Sequence, residues 1–131
     1  MKINFNRREP VYVQVVRHFK QQIAMNMLEP GQEIPSRREL AGELKINPNT
    51  VQRAYKEMEE QGLIYTERNL PSKITRNEQV LQVVREELIM DAVDQFVTTV
   101  QSVQVPLDEI VTIIKEKYEQ TNADKGEEDH D

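Results

Sequence analysis

Asn47-Pro48-Asn49-Thr50-Val51-Gln52-Arg53-Ala54-Tyr55-Lys56 is the stretch whose reading decides the fold. Asparagine is a good helix N-cap, proline suits the first helical position because its missing N–H has no intrahelical partner, and Gly62 supplies a left-handed stop. The spacing predicts a helix from about Pro48 to Gln61. On a wheel advancing about 100° per residue, Val51, Ala54, Tyr55 and Met58 share one side, and Asn49, Gln52, Arg53 and Lys56 the other. Asn, Gln and Arg make bidentate contacts to base edges in a major groove, and Lys meets phosphate. A DNA-reading helix and an ordinary amphipathic surface helix share this pattern. The flanks decide between them.

Upstream, Ile34-Pro35-Ser36-Arg37-Arg38-Glu39-Leu40 contains the S-x-x-E spacing of a capping box, so a short helix is expected from Ser36, with Leu40, Ala41 and Leu44 on its apolar side. Arg37 and Arg38 in its first turn oppose the helix dipole by a few tenths to about 1 kcal/mol unless an anion is near. A DNA phosphate would relieve that opposition. Lys45-Ile46-Asn47 leaves only a tight turn before the next helix, which completes a helix-turn-helix pattern. Further upstream, Tyr12, Val15, Val16, Phe19 and Ile23 repeat at three- and four-residue spacing from Pro10 onward, a core strut behind a short polar lead. His18 lies beside that stripe without metal-ligand partners, and Leu28-Glu29-Pro30-Gly31-Gln32 reads as a turn. After Gly62, Leu63-Ile64-Tyr65-Thr66 and Lys73-Ile74-Thr75 read as a β-hairpin, or wing. Arg68, Lys73 and Arg76 put positive charge along it for flanking phosphates.

The net charge of −6 conceals a split: residues 1–76 carry 13 Lys and Arg against 9 Asp and Glu, residues 77–131 carry 4 against 14. A basic head on an acidic body fits double-stranded DNA as the partner of the first half. The 131 residues lack cysteine, which removes thiolate metal sites and thiol nucleophiles and fits a reducing compartment. Neither a signal-peptide core at Met1–Arg8 nor an apolar run long enough for a bilayer is present, so a cytoplasmic, non-membrane protein is expected. No nucleophile–histidine–carboxylate set or glycine-rich phosphate loop appears, so no enzyme, cofactor or metal site is expected.

From Asn77 to Gln104 there is neither glycine nor proline, and apolar residues fill more than one stripe. Pro106 breaks this long helix, and a second apolar helix is expected from Leu107 to about Gln120. A small head cannot cover both, so dimerisation is expected through Val84, Leu88, Ala92, Phe96, Val100, Ile110 and Ile114. From Thr121 to Asp131 the chain is polar and acidic without apolar anchors, and reads as a disordered tail.

Pro10-Val11-Tyr12 with Gln14, Leu28-Glu29-Pro30-Gly31, Ile34 through Ala41, Asn47 through Val51, Arg53-Ala54-Tyr55, and Glu59 before Gly62-Leu63-Ile64 together resemble the winged-helix domain of GntR-type bacterial transcription regulators. The resemblance covers about residues 8–76. It implies a repressor-like homodimer on a near-palindromic operator, with the second and third helices on DNA. By position in the motif, Ser36, Arg37 and Arg38 would meet phosphates or groove edges, and Asn49, Thr50, Gln52 and Arg53 would be the base readers, although the place of Thr50 at the flank of the outward face favours a DNA-backbone contact over base reading. Lys56, Arg68 and Lys73 complete the expected DNA-binding set. The family's wing usually turns on G-x-G, whereas Arg68-Asn69-Leu70-Pro71-Ser72 has no glycine, which leaves minor-groove reading by the wing tip open. The short helical tail resembles the YtrA-type subfamily.

The expected fold is thus mainly α with a small β-hairpin: a winged helix-turn-helix head over 1–76, a two-helix dimerisation region over 77–120, and a tail over 121–131. A rival expectation is a protein-interaction module that uses the apolar helices and has little operator affinity. A small-molecule effector, with no converging polar groups to identify it, stays open.

Overall fold

A computed structural model describes residues 1–128 of the chain. Its elements are α1 (Val11–Ala24), α2 (Arg37–Leu44), α3 (Pro48–Glu60), β1 (Ile64–Tyr65), β2 (Lys73–Ile74), α4 (Glu78–Gln101) and α5 (Leu107–Glu128). They divide into two compact units, Met1–Asp91 and Ala92–Asp131, with the border inside α4.

In the first unit, α1 buries Val15, Val16, Phe19 and Ile23 against Val51, Ala54, Tyr55 and Met58 of α3. The rings of Phe19 and Tyr55 meet edge to face, with centroids 6.1 Å apart. The Tyr55 hydroxyl, removed from water, donates to the Pro35 carbonyl at 2.5 Å, and burial pushes its pKa up. This bond ties the approach to α2 onto the core face of α3.

Both expected caps form. Ser36 Oγ accepts from the Glu39 amide at 3.1 Å while Glu39 returns a bond to the Ser36 amide at 3.4 Å, and Asn47 Oδ1 accepts from the Asn49 amide at 2.8 Å. Lys45 takes a left-handed conformation, φ 56°, to end α2 and turn the chain into α3.

β1 and β2 pair antiparallel with Ile64 opposite Ile74 and Tyr65 opposite Lys73. The expected turn at Leu28–Gln32 does more than turn, because the chain leaving it adds a third edge to the hairpin. The Gly31 amide donates to the Ile74 carbonyl at 2.8 Å, Ile74 to Gln32 at 2.9 Å, and Ile34 to Ser72 at 2.9 Å. Gly31 has φ +80°, a left-handed conformation that favours glycine, and the Arg76 guanidinium lies 2.3 Å from where a Cβ would stand, so a side chain there would be strained and would push that guanidinium aside.

The N-terminal lead is also built in. Gln14, a buried amide, accepts from the Asn6 amide and donates to the carbonyls of Asn6 and Glu9, while Ile3 and Phe5 pack on the core. Leu81 and Val84, from the first turns of α4, close the same core. Val84 is 3% exposed. It is therefore occupied within the head, which corrects its expected place in a dimer surface, and the head extends past Arg76 to Asp91.

In the second unit, α4 ends at Gln101, Gln104 takes φ 57° in the connection, and α5 begins after Pro106. No described residue from Ala92 onward is buried. The expectation of a disordered tail from Thr121 is corrected by α5, which continues to Glu128; the rest of that expectation, Asp129, His130 and Asp131, lies outside the described residues. Once a helix is nucleated, each further residue adds a hydrogen bond without a new nucleation cost, so a polar stretch can prolong it. No helix among the described residues is long and apolar enough to cross a membrane.

Candidate nucleic-acid interface

The outer face of α3 is held by its buried face. Because Val51, Ala54, Tyr55 and Met58 are all 0% exposed, the helix cannot rotate about its axis without opening the core. Asn49, Gln52, Arg53 and Lys56 are consequently fixed on the exposed side, where they line one shallow depression with Glu57 and Glu60. Thr50, at the flank, is half-buried. The two glutamates put negative charge on the C-terminal part of this face, which concentrates its unopposed donors toward the N-terminal part.

The expected pair Arg37 and Arg38 separates in the structure. Arg38 is exposed and has no ion pair among the described residues. Arg37 is engaged within the head: its Nη2 lies 2.8 Å from Glu59 Oε1, its guanidinium sits 5.0 Å from the Tyr55 ring centroid, and its Nε is buried without a partner among the described residues. Glu59 in turn accepts from Thr66 Oγ1 at 3.2 Å, and the Thr66 and Ser72 hydroxyls are 2.6 Å apart. A polar chain thus runs from the start of α2 through α3 into the wing. Sequence spacing gave no sign of it, since its members are up to 35 positions apart and meet only in the folded head.

Ser36 is exposed at the N-terminus of α2, with its hydroxyl occupied by the capping bond. In the wing, Arg68 is exposed near the tip, while Lys73 is half-buried in the middle strand. The left-handed conformation that a glycine would supply at the tip is taken by Asn69, φ 65°, which tolerates it better than other residues with a Cβ. The Leu70 amide closes the turn on the Glu67 carbonyl at 3.0 Å.

Arg53 has a partner that the sequence reading did not find. Its guanidinium carbon lies 4.0 Å from the ring centroid of Tyr12 on α1, and its Nη2 donates to the Tyr12 hydroxyl at 3.3 Å. In the sequence Tyr12 stood out as one member of an apolar stripe and as part of the Pro10-Val11-Tyr12 motif, without a link to Arg53.

Among the expected dimer residues, Phe96 and Ile114 are 41% and 44% exposed. Ala92 is exposed, and Leu88, Val100 and Ile110 are partly covered. No group of acidic or histidine side chains among the described residues is arranged to hold a metal ion.

Residues 11–73 match the family described as bacterial regulatory proteins, gntR family. The chain is 30% identical to the uncharacterized HTH-type transcriptional regulator YhcF of Bacillus subtilis over 88% of its own length and 95% of that protein's. It is 33% identical to the HTH-type transcriptional repressor YtrA of Bacillus subtilis over 82% of its length and 83% of that protein's. In structure it is similar to a GntR family transcriptional regulator from Listeria monocytogenes, with a TM-score of 0.74, 28% identity, and coverage of 86% of this chain and 98% of that one. These relatives are transcription regulators, not enzymes.

Proposed function

Because this chain belongs to the GntR family of DNA-binding transcription regulators, we propose that it is a repressor that binds a near-palindromic operator as a homodimer. The observation that carries this reading is the outer face of α3, where Asn49, Gln52, Arg53 and Lys56 stand exposed in one depression. Gln52 and Asn49 are assigned to base edges, with Arg53 beside them. Arg38, Lys56 and Arg68 are assigned to phosphates, and Lys73 to a marginal contact from the middle of the wing. Arg37 serves instead as the brace that holds the start of α2 on α3. The relative's description as a repressor supports the sign of regulation.

The homodimer rests on the apolar residues of the second unit. Phe96, Val97, Val111, Ile113, Ile114 and Tyr118 leave between 37% and 69% of their surface exposed. At about 25 cal/mol per Å² of apolar surface, covering such a face with a second copy is strongly favourable. A two-fold dimer then reads a two-fold site, with half-sites about 34 Å, one helical turn, or a multiple of it apart.

Selection of bound sequences from a random DNA pool tests this directly. The expected product is an inverted repeat with that spacing. On it, Gln52→Ala costs about 1–3 kcal/mol and relaxes preference at one position of each half-site, whereas Arg38→Ala weakens all sequences alike and flattens the salt dependence. A chain that stays monomeric and shows no salt-sensitive DNA binding would instead be a protein-docking module.

A further inference from the structure

We propose that Tyr12 of α1 is the positioning residue for Arg53, so that the first helix sets how sharply α3 discriminates among DNA sequences; the inference rests on the reading of α3 as the base-contacting helix. Two contacts define the guanidinium. The ring holds the guanidinium carbon 4.0 Å from its centroid, and the bond from Nη2 to the Tyr12 hydroxyl at 3.3 Å restricts how the group can turn over it. A guanidinium has five N–H donors in a rigid fork, so donors remain free beside Asn49 and Gln52 for a planar acceptor pair such as a base edge.

The contrast with Arg37 shows why a tyrosine does this differently from a carboxylate. Glu59 holds Arg37 at 2.8 Å and neutralises it, whereas Tyr12 holds Arg53 without an opposing charge, and no ion pair reaches Arg53 among the described residues. The positive charge stays available to DNA while the side chain loses rotamer freedom before binding. Tyr12 is itself held, half-buried on the α1 face that packs against the core, one turn from the buried Val15 and Val16. Its position therefore follows the packing of α1 on α3.

The test uses the full chain on its selected operator and on the same duplex with one base pair changed, measured by fluorescence anisotropy at several salt concentrations. Tyr12→Leu is expected to lower the ratio of the two affinities about three- to tenfold, the loss of one exposed cation–π contact and its hydrogen bond, and to leave the salt slope unchanged. Tyr12→Phe, which keeps the ring and opens no hole, is expected to lower the ratio about twofold or less. In an Arg53→Ala background neither substitution should lower it further. An equal loss in that background, or a uniform loss on all sequences, would make Tyr12 a structural residue only and overturn the inference. If Arg53→Ala leaves the ratio unchanged while Gln52→Ala lowers it, the inference fails and the base-contacting role of α3 stands. If neither lowers it, that role fails as well.

Discussion

Phe19 in the unit Met1–Asp91 is 0% exposed, whereas Phe96 in the unit Ala92–Asp131 keeps 41% of its surface in solvent. Both come from helices rich in valine, so composition does not separate them. The difference is in arrangement. In α1 and α3 the apolar residues form one stripe each, and the stripes face each other across Phe19 and Tyr55, so the chain covers itself. In α4 they are spread around the helix, and in α5 Leu107, Ile113 and Tyr118 are 61–75% exposed, more surface than a two-helix unit covers. The head completes its own core; the second unit keeps an apolar surface that a further chain can bury.

The largest expected effect tests the closed side of that comparison. Phe19→Ala should cost about 3–5 kcal/mol in the urea unfolding of the head, as deletion of a fully buried aromatic does, and the loss should not depend on protein concentration. On the open side, Phe96→Asp together with Ile114→Asp should convert the proposed dimer to a monomer in sedimentation, since two charges placed in an apolar contact stay uncompensated. The head's unfolding midpoint measured below the dimer's dissociation concentration should stay unchanged. If the double substitution leaves the dimer intact, the contact surface lies elsewhere. A smaller loss, about 0.5–2 kcal/mol, is expected for Ser36→Ala, which removes the acceptor for the Glu39 amide at the start of α2.

The same two regions show what sequence reading reaches. Ser36, Glu39, Asn47 and Pro48 were legible because capping is decided by residues within four positions of one another. The donor face of α3 was legible because helical period and burial agree there. The third edge of the wing was not: Gln32 bonds to Ile74, a pairing across more than 40 positions that no local pattern encodes. Nor was the docking of the lead on Gln14, since a buried glutamine looks like any polar helix residue until its partners are in place. Of the candidate site, the residue types were readable and their engagement was not. Arg37 and Arg38 are adjacent and chemically identical, yet only Arg37 reaches Glu59, because a step of about 100° around α2 turns it toward α3 and Arg38 away.

The smallest effect concerns pH and again separates the units. His18 is half-buried on α1, and burial, followed by the positive charge of the N-terminus, lowers its pKa from the usual 6.5. The folded head therefore prefers neutral His18, and the unfolded chain binds the proton more readily. Stability contributed by the neutral form is complete above pH 6.5 and is lost as pH falls past that value and through the lowered folded pKa. The carboxylate of Glu9 is lowered from its ordinary value of 4.5, chiefly by its bond to Arg17, so its titration is moved away from this window. The head's urea midpoint should decline slightly between pH 7.5 and 5.5, and His18→Gln should remove that decline. An identical decline in the substituted chain would place the acid sensitivity outside His18.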